Sequence, residues 1–183
     1  MRKTILTYGL LSGVVAFGLW YLTQFLMTSP DGTIDMSKGV IYGYATMILS
    51  LSMIFFGVRH YRDKYQGGNI RFGKAFWIGF QIAFIAAVLY MAGWMICYHT
   101  SDVAKQHMVQ YGEHMKQELV ESGLPAEELA KKTAQFEQNM EMYKNPFFMA
   151  LMTIFEILPV GIIISLISAF ILKKGDMNVV SSQ

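Results

Sequence analysis

The sequence has little charge and almost no cysteine. Charged residues make up only 15% of the 183 positions, and Cys97 is the single cysteine. One cysteine excludes a secreted scaffold held together by disulfides, because such a scaffold needs several cysteine pairs. The hydrophobic content of 54% excludes a disordered chain. The scarcity of charge also argues against a soluble single domain, whose surface needs many charged side chains.

Motifs of known catalytic sites are also lacking. The sequence has no phosphate-binding glycine loop, no HExxH zinc site, no nucleophile elbow and no protein-kinase signature. We therefore predict a protein that is not an enzyme and has no cofactor. We also predict no nucleic-acid partner, because the one basic segment is short and tethered to a membrane.

Long apolar windows are the main feature that is present. They cover residues 4–27, 39–58, 75–98 and 147–172, and Glu156 is the only charged residue inside them. A helix rises about 1.5 Å per residue, so 20 residues cross the roughly 30 Å hydrocarbon core. Helices also satisfy their own backbone groups in lipid. The fold class predicted is an all-α, polytopic membrane protein with a four-helix transmembrane bundle, and the lipid bilayer is its first partner. The first window is expected to be a retained span, because its apolar run exceeds that of a signal peptide.

The basic residues are unevenly distributed between the windows. Nine of the fifteen lysines and arginines lie in segments 1–3, 59–74 and 173–183, and the other six lie in the longer segments 28–38 and 99–146. Basic residues favour the cytoplasmic side of a membrane. This distribution predicts that both termini are cytoplasmic.

Segment 99–146 is the only long stretch between windows. Its apolar residues recur every three or four positions on both sides of Gly123 and Pro125, which predicts a hairpin of two amphipathic helices outside the membrane. The apolar faces can cover each other, bind a partner or lie on lipid, and we favour the first. His107 and His114 are weak metal candidates, because they are seven residues apart and no cysteine pair accompanies them. We therefore predict no metal.

Two stretches go beyond composition. They are YGYATMILSLSMIFFGVRHYRDKYQGGNIRFGKAFWIGFQIA, residues 42–83, and NPFFMALMTIFEILPVGIIISLISAFILKK, residues 145–174. The order YRDK, GG and FGKAF, followed by Glu-x-x-Pro-x-Gly in the last window, resembles the family of domains of unknown function numbered 4199. The resemblance extends over nearly the whole chain. It implies a four-span bundle in the inner membrane of a bacterium of the Bacteroidetes group, and it implies no known activity.

Glu156 is the most informative single residue, because a charged carboxyl inside a membrane costs several kcal/mol. We expect it to face the bundle, and matching by depth gives Thr46 and Tyr90 as hydroxyl partners. Pro159 lacks the N–H that would bond to the Phe155 carbonyl, which leaves a further oxygen nearby. The residues fit a proton or cation site or a partner contact. They also fit a protonated carboxyl that fixes helix register, and we favour this structural interpretation.

Segment 59–74 is predicted as an inner basic loop. Its cations are Arg59, Arg62, Lys64, Arg71 and Lys74. The loop fits binding to anionic lipid headgroups or to an acidic partner. It also fits a simple role in fixing membrane topology, which we favour.

The sequence thus favours a non-enzymatic membrane protein that acts through interactions. It would be an accessory or scaffold subunit, or a homo-oligomer, with a second copy or another membrane protein as its partner. The alternative is a small oligomeric transporter, coupled to protons or ions, that uses Glu156.

Overall fold

The computed structural model describes residues 1–27 and 39–174, and all regular secondary structure within them is α-helical. The helices are α1 (Arg2–Met27), α2 (Gly39–Leu51), α3 (Met53–Tyr65), α4 (Phe72–Thr100), α5 (Asp102–Glu121), α6 (Ala126–Tyr143) and α7 (Pro146–Leu172). Four stretches are long and apolar enough to cross a membrane, namely Arg2–Thr23, Ile41–Tyr65, Phe72–Thr100 and Pro146–Leu172. The predicted all-α fold with four membrane-spanning segments is therefore confirmed.

Helix α4 lies between α1 and α7 and packs extensively against both. Small residues permit the close approach. A Cβ atom added to Gly9 of α1 would lie only 2.8 Å from Ile85, and one added to Gly161 of α7 would lie 2.7 Å from Ala83. Spans in lipid gain no hydrophobic drive from packing together, so such close contacts hold the helices to one another.

The second span is not one continuous helix. Helix α2 ends at Leu51 and α3 begins at Met53, so the break lies near the middle of the span Ile41–Tyr65. At the break, the buried hydroxyl of Ser12 on α1 donates a hydrogen bond of 2.8 Å to the carbonyl oxygen of Ser50. A neighbouring helix thereby satisfies a backbone group that lipid cannot satisfy.

The connection between α3 and α4 is a short turn. Helix α3 continues to Tyr65, and α4 begins at Phe72. Between them, Gly67 and Gly68 adopt φ angles of +57° and +83°, a conformation that favours glycine. Within segment 59–74, which the sequence predicts as a loop between spans, the chain is helical on both sides of the glycine pair, up to Tyr65 and from Phe72. This end of the bundle, which carries the cations of segment 59–74, is termed the basic end.

Helices α5 and α6 form the predicted hairpin between α4 and α7. The chain reverses at Gly123, whose φ is +67°, and Lys116 on α5 pairs with Glu137 on α6 at 2.7 Å. The hairpin docks on the bundle, since α5 contacts α4 and α6 contacts α7. Asn145 then caps α7 by accepting a hydrogen bond of 2.9 Å from the backbone N–H of Phe147. This end is termed the hairpin end.

Candidate functional site

Glu156 lies on the flank of α7. The buried residues of this helix include Thr153, Ile157 and Gly161, which repeat every four positions and face the bundle. Glu156 directly precedes Ile157, so its side chain is rotated by about 100° from that buried stripe. The residue is consequently exposed. From the sequence we expected Glu156 to face the bundle interior. It lies beside the buried stripe instead, because the four-residue repeat places Ile157 in that stripe.

Three tyrosines from three other helices lie within electrostatic range of the Glu156 carboxyl. They are Tyr90 on α4, Tyr111 on α5 and Tyr143 on α6. Burial raises the pKa of Tyr111 and of Tyr143. Both phenols therefore remain protonated and can donate O–H groups. Glu156, Tyr90, Tyr111 and Tyr143 are termed the Glu156 cluster.

Tyr143 is held in place from the neighbouring spans. The indole N–H of Trp94 on α4 donates a hydrogen bond to its phenol oxygen at 2.8 Å. The hydroxyl of Thr153 on α7 interacts with the same phenol, and the ring of Tyr98 lies edge-on to the Tyr143 ring with centroids 6.4 Å apart. The phenol is thus fixed between α4 and α7, beside Glu156.

The residues predicted to lie near Glu156 differ in where the structure places them. Tyr90 lies in the cluster, as matching by depth predicted. Thr46 does not bond to the carboxyl, because its hydroxyl donates to the carbonyl oxygen of Gly43, 2.9 Å away on its own helix. Pro159 is exposed within α7, which continues through it. Since proline has no N–H, the Phe155 carbonyl lacks its usual helical donor.

The predicted basic residues lie at the opposite end of the bundle. Helix α3 carries Arg59, Arg62 and Lys64, while Arg71 precedes α4 and Lys74 lies in its first turn. Arg59 and Arg62 both pair with Asp63, at 3.6 Å and 2.7 Å. Lys74 donates a hydrogen bond of 3.0 Å to the side chain of Gln66. The two groups of candidate residues therefore form two separate sites.

Comparison with known families agrees with this architecture. Residues 7–174 match the family described as Protein of unknown function (DUF4199). The chain belongs to this family. No curated protein and no solved structure matches the sequence. Membership in DUF4199 assigns no reaction, so the activity has to be inferred from the residues themselves.

The weak metal candidates of this DUF4199 protein lie on α5. His107 is half-buried, and its Nδ1 atom has no hydrogen-bond partner among the described residues. His114 lies 3.6 Å from Glu118. Within residues 1–27 and 39–174, no group of three histidine, cysteine, aspartate or glutamate side chains is placed to hold a metal ion.

Sequence reasoning missed two members of the Glu156 cluster. Tyr111 and Tyr143 belong to the hairpin, and their distance from Glu156 depends on how the hairpin docks. The position of Tyr143 three residues before Pro146 was the one available signal, since a residue so close to the start of α7 must lie near that helix. No comparable signal marked Tyr111.

Proposed function

We propose that this protein is a non-enzymatic membrane bundle that acts as a homo-oligomeric scaffold, assembling through the flank of α7 that carries Glu156. The supporting observation is that Glu156 is an exposed residue within the span Pro146–Leu172. No described residue donates a hydrogen bond to it. Contact between a carboxyl and lipid costs several kcal/mol, so a protein surface is a better neighbour than the bilayer.

A second copy of the chain is a chemically suitable neighbour. A neutral carboxyl group both donates and accepts hydrogen bonds, so two Glu156 side chains can pair across a two-fold axis. Such an interface places the same surface of each copy in contact and must be complementary to itself. All lysines and arginines lie outside the four apolar windows, which argues against an ion pair with Glu156 at this depth.

The oligomeric mass of the purified protein tests this proposal. We expect the wild type to run as a dimer in mild detergent and Glu156→Leu to run as a monomer. Glu156→Gln should remain a dimer, because an amide also donates and accepts. Gln81→Leu is the matched control, since Gln81 is a polar residue of α4 whose amide bonds at 3.1 Å to Trp77 on its own helix. A monomeric wild type, or dimeric Glu156→Leu, would contradict the proposal.

Proton-coupled transport is the second candidate function. The observation that favours it is that three phenol groups lie within electrostatic range of one intramembrane carboxyl. Carboxyl and hydroxyl groups in series can relay protons, and ionisable groups within spans mark such pathways. Tyr111 and Tyr143 belong to the hairpin, so the relay would open toward the hairpin end.

Proton flux into proteoliposomes separates the two candidates. Glu156→Gln keeps the hydrogen-bonding capacity needed for assembly but cannot titrate. Transport predicts that a pH-sensitive dye inside the vesicles responds in the wild type and not in Glu156→Gln. An equal response in both proteins, or none in the wild type, would reject transport and leave the scaffold.

We further propose that the protein lies in a bacterial inner membrane with both termini in the cytoplasm and the hairpin outside. The basic end supports this orientation, because positive charge favours the cytoplasmic side. Its cations come from three parts of the chain, residues 1–3, 59–74 and 173–174. Close to it, the backbone N–H of Lys174 donates to the Ile70 carbonyl at 3.3 Å, which brings the end of α7 beside the turn before α4. The test uses protein that carries Cys97→Ala and so lacks the native cysteine. In this protein, Glu127→Cys and Asn69→Cys are labelled separately in intact cells. Only the first should react with an impermeant reagent.

A further inference from the structure

A groove runs between α1 and α3 at the basic end. It is shallow and open on one side, with a volume of about 300 Å³. The lining residues are Tyr8, Phe56, Arg59, His60, Asp63 and Lys64. The proposed assembly through Glu156 does not use any of them, so this groove is a second feature that needs an explanation.

The two walls of the groove follow from helix geometry. Phe56, His60 and Asp63 are spaced by four and three residues, so they lie on one face of α3. Gly57 lets α1 approach this helix, because a Cβ atom added there would lie 3.0 Å from the Tyr8 side chain. The rings of Tyr8 and His60 are consequently neighbours, with centroids 5.8 Å apart.

The charge of the groove is positive. Arg59 and Lys64 contribute two cations against the single carboxylate of Asp63, and Arg62 already binds that carboxylate at 2.7 Å. Arg59 lies at 3.6 Å from Asp63 and is exposed. A guanidinium has five N–H donors, so Arg59 can bind Asp63 and an anion together.

Polarity changes along the groove in the way a phospholipid requires. The cations lie in the last two turns of α3, where the span Ile41–Tyr65 ends. Phe56, with an exposed fraction of 47%, lies eight residues before Lys64, which is about 12 Å deeper along the helix. A headgroup phosphate would meet charge, and the attached chain would meet an aromatic ring.

We propose that this groove binds an anionic phospholipid, with the phosphate headgroup between Arg59 and Lys64 and the start of an acyl chain along Phe56. The charge selects a negative headgroup, and the depth of Phe56 favours a lipid over free phosphate. The bound lipid contacts both α1 and α3 and thereby holds the two spans together at this end.

Native mass spectrometry of the full-length, delipidated protein tests the proposal. Phosphatidylglycerol and phosphatidylcholine with identical acyl chains are titrated, and retained lipids are counted. We expect one phosphatidylglycerol to bind at least fivefold more tightly than phosphatidylcholine. Arg59→Gln/Lys64→Gln should remove this preference, because each cation near an anionic headgroup contributes about 1 kcal/mol, or about fivefold. If the double variant does not fold, Lys64→Gln alone is measured instead. We expect its preference for phosphatidylglycerol to fall about fivefold.

A matched control separates a built site from general surface charge. Lys173→Gln/Lys174→Gln removes the same number of charges from exposed positions near the basic end but outside the groove, and it should keep the preference. Equal losses in both double variants would overturn the proposal. It would also be overturned if soluble glycerol phosphate bound as tightly as the lipid while Phe56→Ala had no effect, since the site would then bind free phosphate.

Discussion

The indole N–H of Trp94 donates a hydrogen bond of 2.8 Å to the phenol oxygen of Tyr143. Trp94 is buried on the membrane-spanning α4, whereas Tyr143 is the last residue of α6. The bond therefore fixes the hairpin to a span. Since Tyr143 also belongs to the Glu156 cluster, attachment of the hairpin and geometry of the cluster depend on the same contact.

Replacing Trp94 by phenylalanine should loosen the hairpin. Trp94→Phe keeps an aromatic ring but removes the donor, and a partly buried phenol oxygen then loses a bond of about 1 kcal/mol. We expect amide hydrogen exchange in α6 to accelerate about fivefold, while exchange in α3, at the other end of the bundle, stays unchanged. Trp77→Phe is the control, because Trp77 is exposed on the same helix. Equal exchange rates in α6 of Trp94→Phe and wild type would show that the bond does not anchor the hairpin.

The break in the second span depends on Ser12. Ser12→Ala leaves the Ser50 carbonyl without its buried donor, and hydrogen bonds between membrane helices contribute about 1 kcal/mol. We expect this variant to unfold at a lower SDS fraction, as followed by circular dichroism. Ser165→Ala is the comparison, because Ser165 is equally buried but bonds at 2.7 Å to Gly161 on its own helix. A smaller loss in Ser12→Ala than in Ser165→Ala would count against the bridging role.

The spans were predictable because length and hydropathy decide whether a helix can cross a bilayer. The break in the second span was not predictable, since Ser50 and Ser52 carry no strong helix-breaking signal. It is supported by a hydroxyl from α1, which is a tertiary contact. The extent of α3 was partly readable, because Gly67 and Gly68 are the first residues after its apolar stretch that favour a turn.

The Glu156 cluster was only half predictable, for a related reason. Counting residues along two antiparallel spans placed Tyr90 at the depth of Glu156, since helices rise uniformly. The depth of a residue in the membrane does not tell which way its side chain points around the helix axis. The same count therefore also selected Thr46, whose hydroxyl bonds within α2. Tyr111 and Tyr143 lie in the hairpin, and no periodicity reports where a hairpin docks.

Gly161 and Ala83 should form a tightly coupled pair. An added Cβ at Gly161 would lie 2.7 Å from the Ala83 side chain, so Gly161→Ala should destabilise the bundle by about 1–3 kcal/mol through overpacking. Ala83→Gly should restore much of that loss in the double variant. Gly43→Ala is the control, because no atom lies within 4 Å of its added Cβ. Additive effects of the two changes, measured by SDS unfolding, would rule out direct contact between α4 and α7 there.

His107 should make stability depend on pH. Burial lowers the pKa of its imidazole below the ordinary value, so as pH falls the unfolded chain binds the proton before the folded chain does. The contribution of His107 to the unfolding free energy is therefore complete above about pH 6.5. It decreases as pH falls from there toward the lower pKa of the folded state.

The measurement is the SDS unfolding midpoint between pH 5 and 8 for three proteins. The wild type should lose stability below about pH 6.5, and His107→Gln should flatten that part of the curve, because an amide does not bind the proton. His114→Gln is the matched control on the same helix, where the side chain pairs with Glu118 at 3.6 Å. It should retain the pH dependence, because the half-buried imidazole of His107 is still present. If His107→Gln kept the full wild-type dependence, the decrease would have to arise from other groups, since the protein would no longer contain the imidazole to which we assign it.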